Sequence, residues 1–99
     1  KVLKKNFSHN NLIIAYEPIW SIGTGKIPNH NELLKTTLYI KTILKKIFGK
    51  KIPPIIYGGS VDGTNIQKFK KINEIDGFLV GGASKSSKKF IDIIKNYYR

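Results

Sequence analysis

The chemistry available to this 99-residue chain starts from one carboxylate, Glu17, set directly behind the apolar run Leu12-Ile13-Ile14-Ala15-Tyr16. That run is short and β-prone, and it predicts a strand buried on both faces. Pro18 ends it, because proline has no N–H for a ladder and restrains the residue before it. Glu17 is thereby fixed to the last rung, the end of a parallel strand where reactive groups are presented. The loop that follows joins stiff apolar Ile19, Trp20 and Ile22 to permissive Gly23-Thr24-Gly25, a composition that suits a mobile lid. On residue types alone, a solvated loop charge and an ordinary glycine turn stand beside these readings.

Two more apolar runs end in glycine. Ile55-Ile56-Tyr57 leads into Gly58-Gly59-Ser60, and Phe78-Leu79-Val80 leads into Gly81-Gly82-Ala83-Ser84. Glycine lets backbone N–H groups approach an anion without a Cβ in the way, and a helix N-terminus behind it adds a favourable dipole. Three such loops on one sheet edge suit a phosphate.

Helical patterns separate the strands. Asn29 with Glu32 three residues on reads as a capped helix start. Leu33, Thr37, Ile40, Leu44 and Ile47 form its apolar stripe, with Leu34, Leu38 and Phe48 beside them, and Gly49 ends it. Pro53-Pro54 breaks the chain before the second strand. A short helix over 65–72 buries Ile66, Phe69 and Ile72. A last one from about Ser87 turns Phe90, Ile91, Ile94 and Tyr97 or Tyr98 inward. Strand–helix alternation three times over predicts an α/β fold with three parallel strands and right-handed crossovers in one domain, 1–99. Residues 1–11 read as the tail of a helix followed by a turn at Ser8-His9-Asn10-Asn11, as in a piece of something larger.

Composition excludes more than it assigns. There is no cysteine, hence no disulfide or thiolate metal site, and no apolar run able to span a bilayer. The net charge of +12 raises nucleic acid as a partner. Yet all but one of the 18 basic residues are lysines, spread over every predicted helix, and Arg99 is the single arginine. Solvated helix faces explain that pattern better than a base-reading surface, which leans on arginine.

The stretch Ala15-Tyr16-Glu17-Pro18-Ile19-Trp20-Ser21-Ile22-Gly23-Thr24-Gly25-Lys26 resembles the sixth strand and lid of triosephosphate isomerase, whose signature there is Ala-Tyr-Glu-Pro-x-Trp-x-Ile-Gly-Thr-Gly-Lys. Tyr57-Gly58-Gly59-Ser60-Val61 and Asp76-Gly77-Phe78-Leu79-Val80-Gly81-Gly82-Ala83-Ser84 match the same family in order and spacing. The resemblance runs from about Leu12 to the C-terminus. It implies the C-terminal part of a TIM (β/α)8 barrel, strands six to eight, with the barrel incomplete at this length. It further implies interconversion of dihydroxyacetone phosphate and glyceraldehyde 3-phosphate through an enediolate, in glycolysis and gluconeogenesis. No cofactor or metal is implied, and the expected setting is a cytoplasmic homodimer. Glu17 matches the general base. Gly23, Ser60, Gly81 and Gly82 match the phosphate-binding positions, and Ile22 and Leu79 the apolar pair that clamps over the base. Trp20 is expected to anchor the lid by packing, and Tyr57 to bond its closed form.

Two departures stand out. The family usually follows the lid lysine with two small residues, the second giving its N–H to the strand-seven tyrosine. Here Lys26-Ile27-Pro28 offers no N–H at 28, which predicts a stiffer hinge and a less favoured closed state. The family's catalytic Asn, Lys and His also have no counterpart, since His9 and His30 lie outside any matching motif. Alone, these 99 residues are therefore expected to show little activity, and their partners are the missing barrel portion and a triose phosphate. The competing reading is a non-catalytic product, either a decayed fragment or a basic anion- or nucleic-acid-binding piece, which steeply salt-dependent DNA binding with no triose-phosphate response would favour.

Overall fold

The computed structural model describes residues 9–21 and 23–99. A 3-10 turn over His9–Asn11 precedes three strands: β1 (Ile14–Tyr16), β2 (Ile55–Gly59) and β3 (Gly77–Val80). Helix α1 (His30–Phe48) links the first two, α2 (Ile66–Lys70) the second pair, and α3 (Ser87–Tyr97) follows β3 after a 3-10 turn over Gly82–Lys85. The strands are parallel in the order β1-β2-β3, as the alternating pattern predicts. The helix tail expected over 1–8 lies outside the described residues.

Local chemistry sets the element ends. The Asn29 side chain accepts the Glu32 N–H at 2.8 Å and donates to the Glu32 carboxylate, so the cap grips Glu32 through both its backbone and its side chain. Gly49 stops α1 at φ 83°, with its N–H on the Lys45 carbonyl. Ser86 caps α3 by accepting the Lys89 N–H. Asp76 sets the β2–β3 register: its carboxylate accepts the Ile55 N–H at 2.8 Å, while its own N–H donates to the Ile55 carbonyl at 2.7 Å.

The strand period of two divides the sheet into unlike faces. Tyr16, Tyr57 and Phe78 share a rung on the helix side. Tyr57 stacks there on Phe69 of α2 at 4.7 Å between ring centroids. Leu33, Val61, Ile66, Phe69, Ile72 and Ile93 complete that core. The opposite face, carrying Ile13, Ala15, Ile56, Gly58 and Leu79, has no layer over it among the described residues, and Ile13 is 66 % exposed. The expectation that β1 is buried on both faces is thus corrected: it is an edge strand covered on one side. The last helix is corrected likewise. Ile93 is its buried residue and Tyr97 is half-buried, whereas Phe90, Ile91 and Ile94 stay exposed. Packed along α2, α3 can bury one line of side chains, and no described element lies beyond β3 to cover the rest.

Candidate active site

Parallel pairing brings all three strand ends to one edge, so the loops after β1, β2 and β3 open in the same direction. The register places Tyr16 opposite Tyr57 and Gly58 opposite Leu79, which puts Glu17, Gly58 and Leu79 on consecutive strands at the next rung. Glu17 leans across that rung. A Cβ built on Gly58 would meet its Cγ at 2.8 Å and its Oε2 at 3.2 Å. Glycine at the centre of the rung is therefore what lets the carboxylate lie over β2. Glu17 and Leu79 are both exposed on the open face.

The loop over 17–28 folds back onto β2. A 3-10 turn, Ile19–Ser21, starts it, with the Ser21 N–H on the Pro18 carbonyl. Gly23 and Gly25 take φ values of 68° and 79°, which ordinary side chains resist, so both glycines are demanded by the turn itself. The Thr24 hydroxyl donates to the Trp20 carbonyl at 2.8 Å and accepts the Lys26 N–H at 3.1 Å. The Ser60 hydroxyl then ties the loop down, accepting the Gly25 N–H at 2.9 Å and donating to the Ser21 carbonyl at 2.7 Å. Trp20, expected as the packed anchor, is 47 % exposed, whereas Ser21 is fully buried. The loop is therefore held by hydrogen bonds around Ser21 more than by the indole. Ile22 lies outside the described residues.

A cleft of about 530 Å³ opens beside this loop, lined by Gly23, Ser60 and Gly82 at one end and by Asp62, Lys89 and Asp92 toward α3. Gly81 adjoins it, its carbonyl accepting both the N–H and the hydroxyl of Ser84. A Cβ at Gly81 or Gly82 would meet no protein atom within 4 Å, so packing within the chain does not require glycine there and the space is open to a ligand. Burial alone would push the Asp62 carboxyl up. Hydrogen bonds from the Thr64 hydroxyl and from the N–H groups of Asn65 and Thr64 outweigh it and hold the group below the usual aspartate value. Of the expected residues, Gly23, Ser60 and Gly82 converge on the cleft, while Glu17 and Leu79 lie on the neighbouring rung. His30 opens α1 and lines a separate groove with Ile27, Pro28 and Leu33. No three His, Asp or Glu among the described residues gather as a metal site, and no described helix is long and apolar enough to cross a membrane.

Tyr57 is buried beneath the loop, and its hydroxyl lies 3.1 Å from the Ser21 hydroxyl. Burial pushes the Tyr57 hydroxyl above its ordinary value; the Ser21 bond pulls against that, and nearby Tyr16 adds to the rise. Ser21 was not legible as a site residue. Its only signal was a serine at a position that the family signature leaves variable.

Three parallel strands alternating with helices, their loops opening on one carboxyl edge, define part of an α/β barrel. The family model described as triosephosphate isomerase matches residues 1–97, and the chain belongs to the triosephosphate isomerase family. Among its relatives, the triosephosphate isomerase of Chlamydia abortus is 41% identical over 91 residues, which are 89% of this chain and 36% of that protein. That of Dehalococcoides mccartyi is 45% identical over 89 residues, covering 87% and 36%. The crystal structure of triosephosphate isomerase from Bartonella henselae superposes with a TM-score of 0.83 at 27% identity, over 98% of this chain and 39% of that one. The chain thus spans about a third of the length of the relatives it matches.

Proposed function

We propose that these residues supply the base, lid and phosphate-holding edge of a triosephosphate isomerase. In this reading the Glu17 carboxylate takes a proton from one carbon of dihydroxyacetone phosphate and returns it to the neighbouring carbon, giving glyceraldehyde 3-phosphate through an enediolate. The N–H groups of Gly23, Ser60, Gly81 and Gly82 hold the phosphate, which fixes the carbon skeleton relative to the base. Ile22 and Leu79 clamp over Glu17 and keep water from the intermediate, which would otherwise lose phosphate. The groups that stabilise the enediolate's developing charge come from strands that complete the barrel, because no counterpart to the family's Asn, Lys or His stands in this sequence. The whole protein is proposed to work in the cytoplasm as a homodimer, with neither cofactor nor metal.

The observation that carries the reading is the Glu17–Gly58–Leu79 rung, set beside a cleft lined by Gly23, Ser60 and Gly82 in a chain of this family. The test is complementation. The chain is combined with the remaining barrel portion of a relative, and isomerisation is assayed with Glu17 intact and with Glu17→Asp. The shorter side chain draws the carboxylate back by about one bond, and a misplacement on the order of 1 Å is expected to cost about 100-fold in kcat. Equal activity in the two proteins would overturn the role given to Glu17.

A further inference from the structure

Pro28 denies Tyr57 the backbone N–H that the family resemblance leads one to expect, yet the buried Tyr57 hydroxyl is not left without a partner. It faces Ser21, whose side chain is fully buried under the 17–28 loop. The single Ser21 hydroxyl proton is committed to the Lys26 carbonyl, which can only accept. Tyr57 must therefore be the donor in the 3.1 Å bond to the Ser21 oxygen. One hydroxyl thus joins two ends of the loop, residues 21 and 26, and fastens both to the floor of β2. The Ser21 carbonyl takes a further bond from Ser60, whose hydroxyl also holds Gly25. The space for this arrangement is made by Gly59, where a Cβ would come to 2.5 Å from the Tyr57 oxygen and 2.8 Å from the Ser21 oxygen.

We propose that Ser21 is a positioning residue for the isomerase reaction, latching the lid to Tyr57 in place of the backbone donor that Pro28 removes. The proposal rests on the isomerase reading for its catalytic consequence, and on the hydrogen-bond geometry alone for the latch. Ser21 touches no reacting atom. It acts by keeping Gly23 and Gly25 docked over the cleft, so losing it favours an open lid and exposes the enediolate to water.

The test uses the whole protein, with the remaining strands of the barrel present, as Ser21→Ala, Tyr57→Phe and the double variant. Three quantities are read: hydrogen exchange of the Gly25 amide without substrate, kcat and KM for triose phosphate, and inorganic phosphate released per turnover. Ser21→Ala is expected to speed Gly25 exchange and lower kcat by about five- to tenfold, the worth of one buried hydrogen bond. Phosphate release per turnover should rise with it. Tyr57→Phe keeps the ring packing, serves as the second variant if Ser21→Ala folds poorly, and should match it; the double variant should add little more. Unchanged exchange and phosphate release in the single variants, or fully additive effects in the double, would overturn the latch. An unmodified protein without isomerase activity would overturn the functional reading instead, and the exchange measurement would still decide the latch.

Discussion

Gly58 stands between Glu17 and Leu79, and replacing it with alanine separates folding from catalysis. The added Cβ would lie 2.8 Å from Glu17 Cγ, 3.2 Å from Oε2 and 3.3 Å from Cδ. Carbon atoms in comfortable contact sit about 3.5–4.0 Å apart, so the Glu17 side chain must retreat by roughly 1 Å. It can do so by rotating the whole side chain from Cβ outward, because the residue is exposed. Alanine also lowers the entropy of the unfolded chain relative to glycine, which offsets part of the strain. The net change in stability is expected to stay within about 1 kcal/mol. A reactive group displaced by 1 Å is a different matter, costing on the order of 100-fold in rate, about 2.7 kcal/mol of barrel-bound transition-state stabilisation. The assay pairs kcat/KM in the complemented barrel with the thermal unfolding midpoint. Gly59→Ala is the contrasting control: its Cβ would press on two buried hydroxyls, so it should lower the midpoint as well as the rate. A folded Gly58→Ala protein that keeps half or more of the isomerase rate would refute this account of how the proposed base is seated.

Two further expectations follow from the same geometry. Asp62 has its carboxyl held below the ordinary value, so the stability it contributes is present above about pH 3.9 and is lost as pH falls through the folded value. Asp62→Ala should therefore lower the unfolding free energy at pH 7, by about 1 kcal/mol as for a lost capping residue, and by progressively less as pH falls through the folded value; a loss that does not shrink with falling pH would contradict this. Pro28→Ala frees φ at the end of the lid, and should speed lid motion followed by Trp20 fluorescence while costing about 0.5–1 kcal/mol through the unfolded chain. Unchanged lid kinetics would remove the stiff hinge from the argument.

Much of this architecture was legible from residue order. Pro18 and Pro53-Pro54 mark strand limits, Asn29 with Glu32 marks a helix start, and the alternation of patterns yields the parallel sheet found. What stayed hidden depends on atoms distant in sequence. No periodicity shows that Ser21 meets Tyr57, because that contact arises only when the loop folds over β2. Burial was over-read at Ile13, Phe90, Ile91 and Ile94 for a related reason. An apolar side chain announces that it needs cover, but not whether the cover lies within these 99 residues. The Glu17–Gly58–Leu79 rung is intermediate: Glu17 stood out by its place behind an apolar run and Leu79 by family resemblance, while their alignment across Gly58 is a property of register.

The bare sheet face has a calorimetric consequence. Whatever layer comes to rest on Ile13, Ala15, Ile56 and Leu79, from the same polypeptide or another, must strip water from aliphatic surface. Its docking enthalpy should therefore become steeply more negative with warming, a negative heat-capacity change. Glu17 sits at the end of that same face, so the event that dries the sheet is also the one that encloses the carboxylate.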